Sequence, residues 1–199
     1  MQGEPTGREM HGESGVTVPP TMNLADRCLD EHVRQGRGGR IPLTCDGREY
    51  SYRQLTELSA RVSIGLKQLG LRPGQRVLIV LPDSAEFVAT HFGAMRLGAV
   101  PVAANTLLIS QEYRYLLQDS RATALFVHRG YLEKMPRDST PLKHVIVVGT
   151  DCTHPSLEGA TAFEQLLAGG IQIVPPCSAS ATMRLSGSTR QVQPACGRT

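Results

Sequence analysis

Val77-Leu78-Ile79-Val80-Leu81-Pro82-Asp83-Ser84 decides how this chain folds. The aliphatic run from Val77 to Leu81 has no polar face, so both of its sides must be covered. That is the pattern of a strand inside a parallel sheet flanked by helices. The run is far too short to cross a bilayer. Pro82-Asp83-Ser84 then breaks the strand, and Ser84 is placed to cap a helix.

Working outward, the same alternation continues on both sides. Upstream, Ser51-Tyr52-Arg53-Gln54 has the spacing of a capping box. Leu55, Leu58, Val62, Leu66 and Leu69 follow at helical spacing, and Gly70 ends that helix. Further upstream, Asn23 is placed to cap a first helix with Asp26 in its first turn. Its apolar stripe is Leu24, Cys28, Leu29 and Val33, and the glycines at 36, 38 and 39 stop it. Residues 41–45 read as a strand, Asp46-Gly47 as a hairpin turn, and residues 48–50 as the returning strand. Downstream, the helix after Ser84 carries Phe87, Val88, His91, Phe92 and Met95 on one stripe and stops at Gly98. Residues 99–103 form the next strand, and Ser110 caps a helix with Tyr113, Leu116 and Leu117. Residues 123–127 and 145–148 are strands, and short helices are expected at 131–135 and 162–168. Strand and helix alternating at this spacing predict an α/β fold with a parallel, Rossmann-like or flavodoxin-like sheet.

The chain has 199 residues, 40% of them hydrophobic and 20% charged, which suits a globular domain and excludes wholesale disorder. Aromatics make up only 5% and tryptophan is absent, so the core must be aliphatic. A net charge of +3 gives no electrostatic footprint for nucleic acid or an anionic membrane. The five cysteines, Cys28, Cys45, Cys152, Cys177 and Cys196, are odd in number and lack C-x-x-C spacing. That argues against a disulfide framework or zinc ribbon and for a reducing cytosol. Residues 1–20 read as a disordered leader without the apolar stretch of a signal peptide. Residues 21–175 read as the α/β subdomain, and residues 176–199 as an irregular tail.

Few residues announce chemistry. No G-x-x-x-x-G-K-[ST] or G-x-S-x-G occurs, and the six histidines never form H-E-x-x-H, so no metal site is expected. Gly36, Gly38 and Gly39 follow a helix rather than a strand and read as a helix stop. His91 reads as a packed, hydrogen-bonded core histidine. Asp83 stands at the carboxyl end of a buried strand, where open α/β sheets place ligands. A plain turn into a helix accounts for it equally. Arg34, Arg37 and Arg40 read as a solvated face. Ser186-Gly187-Ser188-Thr189 is a run of small hydroxyl residues around a glycine, able to wrap phosphate oxygens with N–H and hydroxyl groups. A serine-rich tail would look similar.

Several motifs in order resemble the N-terminal part of the adenylate-forming acyl-CoA synthetase family. Tyr50-Ser51-Tyr52-Arg53-Gln54-Leu55 is similar to its first core motif. Met95-Arg96-Leu97-Gly98-Ala99-Val100-Pro101-Val102 is similar to its second. Leu69-Gly70-Leu71-Arg72-Pro73-Gly74-Gln75-Arg76-Val77 resembles the approach to its first long strand. Asn105-Thr106-Leu107-Leu108 and Tyr113-Arg114-Tyr115-Leu116-Leu117-Gln118-Asp119-Ser120 resemble the benzoate–CoA ligase branch most closely.

The resemblance implies a ligase that joins a carboxylic acid to AMP from ATP, releases pyrophosphate and passes the acyl group to CoA. Magnesium is implied beside the phosphates, and the acid is implied to be small, an aromatic one being the nearest case. Neither nucleic acid nor membrane is implied as a partner. Ser186, Gly187, Ser188 and Thr189 fall where the family places its phosphate loop. There the family continues with glycine, a variable residue, proline, lysine and glycine. This chain continues with Arg190-Gln191-Val192-Gln193-Pro194 instead. The loss of resemblance after Thr189 reads as a shifted reading frame or a cut gene. The family's acyl pocket, hinge and C-terminal lid all lie beyond this point. The expectation is a truncated ligase subdomain, inactive alone and with no catalytic residue of its own. A non-catalytic binding module or pseudoenzyme, and an unrelated flavodoxin-like ligand-binding domain, stand as alternatives.

Overall fold

A computed structural model describes residues 22–136, 142–149 and 160–169. Asn23 Oδ1 accepts from the Ala25 amide at 2.9 Å, opening the first helix. That helix runs as a π turn over Asp26–Asp30 before tightening into α1, Glu31–Arg34. The hairpin β1 (Leu43–Cys45) and β2 (Arg48–Tyr50) turns through Asp46 and Gly47 at φ 49° and 72°, the left-handed pair that a two-residue hairpin requires. α2 spans Tyr52–Gln68 behind a complete Ser51/Gln54 capping box. The decisive run becomes β3, Arg76–Val80, with Val77 to Val80 wholly buried. Then come α3 (Ala85–Leu97), β4 (Val100–Ala103), α4 (Ser110–Ser120) and β5 (Ala124–His128). A 3-10 turn over Arg129–Lys134, β6 (His144–Val148), β7 (Ala160–Ala162) and α5 (Phe163–Ala168) complete the described chain.

Strands β3 to β7 form one sheet, in the order β4-β3-β5-β6-β7, every pair parallel. Alternate residues of its central strands feed two cores, as a strand's two-residue period demands. Val77, Ile79, Ala124 and Phe126 pack with Val62 and Leu66 of α2, Ala89 and Ala94 of α3, and Leu166 of α5. Leu78, Val80, Leu125 and Val127 pack with Tyr113 and Leu117 of α4. The predicted parallel α/β fold is thereby present. Numbered along the chain, the five strands read 2-1-3-4-5, the flavodoxin-like order.

Several expectations change in detail. The stripe predicted for α3 is half-buried; its buried face is instead Ala85, Ala89, Thr90, Gly93 and Ala94. Smallness, not hydrophobicity, selects that face. A Cβ at Gly93 would stand 2.7 Å from Val62 Cγ1, so α2 and α3 meet backbone to side chain. In the first helix Leu24 is exposed, and Ala25 is buried with Leu29 instead. Ser110 does not cap α4. The cap position is Ile109, whose amide donates to Glu112 Oε2 at 2.9 Å. Strand β7 was not foreseen: Ala160-Thr161-Ala162 is too short and too weakly apolar to signal one.

Candidate functional site

Helix α3, which leaves β3, lies on one face of the sheet. Residues Tyr131 and Leu132, from the 3-10 turn that leaves β5, pack on the other. Adjacent strands whose connections diverge open a crevice at their carboxyl ends, the place where open α/β sheets receive ligands. The β3 side supplies Asp83 and Ser84. Ser84 Oγ accepts from the Phe87 amide at 3.1 Å, so its hydroxyl is committed to capping α3. Asp83 is exposed, and its carboxylate has no partner among the described residues. The plain turn into a helix is therefore present, with Ser84 starting α3 and Asp83 exposed beyond the carboxyl end of β3.

The β5 side supplies cations. His128 Nδ1 accepts from the Gly130 amide at 3.2 Å, which fixes the ring and leaves Nε2 as its outward nitrogen. A Cβ on Gly149 would lie 2.9 Å from that Nε2, and Gly149 has φ 82°, so the end of β6 admits glycine alone. Arg129 Nη1 donates to the Gly149 carbonyl at 3.3 Å. Lys134 Nζ donates to the Thr106 carbonyl at 3.2 Å and stands 5.5 Å from the centre of the Tyr131 ring. The loop leaving β4 is pinned by Tyr113, whose hydroxyl donates to the Asn105 carbonyl at 2.8 Å. Burial, ahead of the neighbouring Tyr131 and Glu112, raises the Tyr113 pKa, so this phenol stays a donor. The edge thus presents the guanidinium of Arg129 and the ammonium of Lys134, with the His128 ring beside them, and suits an anionic ligand.

Other candidates prove inert. Cys45 Sγ donates to the Asp83 carbonyl at 3.4 Å, tying the hairpin to the end of β3. Burial first, then the charge of Asp46, raises its pKa, so it remains a thiol and not a nucleophile. His91 packs against Phe87 at 5.9 Å and Phe92 at 5.7 Å, as a core histidine should. The expected hydrogen bond is missing, however: its Nδ1 is buried without a partner. Arg34 pairs with Asp26 at 2.7 Å. Arg37 is not simply solvated, because its Nε is buried. Among the described residues no group of three or more His, Cys, Asp or Glu could hold a metal ion, and no helix is long and apolar enough to cross a membrane. Ser186, Gly187, Ser188 and Thr189 lie outside the described residues, as do residues 1–20 and 176–199.

A profile of AMP-binding enzymes matches residues 29–182. The chain belongs to the AMP-binding enzyme family. Within it, the chain is 37% identical over 151 residues to a 4-hydroxybenzoate–CoA/benzoate–CoA ligase of Rhodopseudomonas palustris, covering 74% of this chain and 28% of that one. It is 34% identical over 138 residues to a benzoate–CoA ligase of Thauera aromatica, covering 67% and 26%. Among solved structures, the anthranilate–CoA ligase AuaEII in complex with anthranoyl-AMP superposes with a TM-score of 0.70 at 35% identity, covering 76% of this chain and 29% of that one. The chain therefore spans between a quarter and a third of the length of these relatives. Family membership sets aside an unrelated flavodoxin-like domain, although the strand order is shared. His128, Arg129 and Lys134 were not singled out by sequence reasoning. The one available signal was their position just after a buried apolar run.

Proposed function

We propose that this chain supplies the sheet lobe of an ATP-dependent acid–CoA ligase that takes a small aromatic carboxylic acid and works in the cytosol. A bare carboxylate is a poor acyl donor because its leaving group is oxide. Joining it to AMP makes the leaving group stable, and the CoA thiol then displaces it. What supports the reading is the continuous likeness to benzoate-type ligases across residues that form the parallel sheet and its carboxyl edge.

In this account Ser186, Gly187, Ser188 and Thr189 contact the phosphates through N–H and hydroxyl groups. The chain has Gln193 where the family carries its lysine, so a positive charge near the phosphates is lost and ATP binds weakly. Magnesium is implied only through the family, and the described residues offer it no carboxylate cluster. The 199 residues alone do not complete the reaction, and none of them is assigned as catalytic. Titration calorimetry with ATP tests the loop. Binding should disappear in Ser186→Ala/Thr189→Ala and tighten about tenfold in Arg190→Gly/Val192→Pro/Gln193→Lys. ATP affinity that ignores both variants would overturn the assignment. A non-catalytic binding module remains the second reading, favoured by the missing lysine; it predicts no gain from the restored loop.

A further inference from the structure

The turn between α1 and β1 carries unused positive charge in a built setting. Arg40 N donates to the Arg37 carbonyl at 3.0 Å, and Arg37 N to the His32 carbonyl at 2.8 Å. The start of α2 is laced to the same turn: Tyr52 N donates to the Arg40 carbonyl at 3.0 Å and Arg53 N to the Gly38 carbonyl at 2.9 Å. Arg53 Nη2 lies 3.5 Å from where a Cβ on Gly38 would stand, so this guanidinium lies over the turn. His32 stacks on Tyr52 at 4.1 Å and 15°, stiffening one wall.

None of the Arg37, Arg40 and Arg53 guanidiniums has an acceptor among the described residues, and Arg37 Nε is buried without one. The acids of the first helix are already engaged, while Glu57 stands one turn beyond Arg53 on α2. Asp26 holds Arg34, and Glu31 holds Arg27 and Gln35. The first turn of α2 contains no acidic residue. An orphaned buried donor calls for an explanation, and guanidiniums carried by one turn and by the helix start laced to it can share an anion.

We propose that Arg37, Arg40 and Arg53 form a binding site for a phosphate-class oxyanion, separate from the carboxyl edge of the sheet. Guanidinium forks match phosphate oxygens geometrically, and a tetrahedral dianion offers acceptors to more than one fork at a time. The amides of Tyr52 and Arg53 are already used by carbonyls of the turn, and that of Gln54 by Ser51 Oγ, so the guanidiniums alone provide the donors. Because Arg40 and Arg53 are exposed, binding is weak and salt-sensitive.

An amide-resolved NMR titration with inorganic phosphate, matched against chloride at equal ionic strength, tests this site. Saturable shifts are expected at the amides of Gly38, Gly39 and Arg53. Affinity should fall about tenfold in Arg53→Gln and vanish in Arg37→Gln/Arg40→Gln/Arg53→Gln. The single exposed Arg53→Gln variant keeps the test valid if the triple variant unfolds. Shifts no larger than in chloride, or an unchanged affinity in Arg53→Gln, would overturn the site. So would a stronger response to an acidic peptide than to phosphate. Shifts confined to residues 186–189 would support the loop assignment and count against this one.

Discussion

Gly93 shows how a single residue can reverse a simple expectation. In a helix interior alanine is favoured over glycine by about 1 kcal/mol. Here the added methyl would stand 2.7 Å from Val62 Cγ1 and 2.9 Å from the Ser59 carbonyl oxygen. The side chain can yield slightly, but a helix carbonyl cannot. Overpacking of this kind costs about 1–3 kcal/mol. Gly93→Ala should therefore lower the urea midpoint, with a net loss of about 1 kcal/mol. A raised midpoint would mean that α2 and α3 are not this close. Histidines set a second residue-scale expectation. Burial lowers the pKa of His91, and burial followed by the charge of Lys143 lowers that of His144. A lowered histidine pKa means the folded state binds fewer protons than the unfolded one. Their contribution is fully present above about pH 6.5 and is lost as pH falls toward the folded values. Thermal melts between pH 8 and 5 should show stability falling on the acid side, with a shallower fall in His91→Gln. An identical pH profile in that variant would remove His91 from the account.

Elements were legible where local chemistry settles them. The capping box at Ser51, the cap at Ser84, the hairpin at Asp46-Gly47 and the stop at Gly98 (φ 81°) all stand where sequence places them. Each depends on a few adjacent residues. Of the misplaced features, the α4 cap is a local exception, while others depend on partners distant in sequence. The buried face of α3 is chosen by α2, and the cations of the carboxyl edge gain meaning only once β4 and β6 are beside β3 and β5. Lys134, for example, meets Thr106 across 28 residues of chain. The α4 cap gives a direct comparison. Glu112→Ala should cost about 1 kcal/mol because the Ile109 amide loses its acceptor, whereas Ser110→Ala should change stability by less than about 0.5 kcal/mol. Denaturant curves of the two variants check this, and the reverse order would restore Ser110 as the cap.

At the scale of the whole molecule, the sequence carried the sheet, its parallel sense and the family, because buried runs and helix signals repeat over most of the chain. It did not carry the edge chemistry, because His128 and Arg129 look like ordinary surface residues until the strand order places them beside the exit of β3. The site that sequence did single out, Ser186 to Thr189, lies beyond the described residues. We propose that the lobe belongs to an acid-activating ligase and does not turn over by itself. Benzoate-dependent exchange of labelled pyrophosphate into ATP measures the first chemical step alone. The purified 199-residue chain should give no exchange above a benzoate-free control. Exchange that rises with benzoate and saturates would contradict the account.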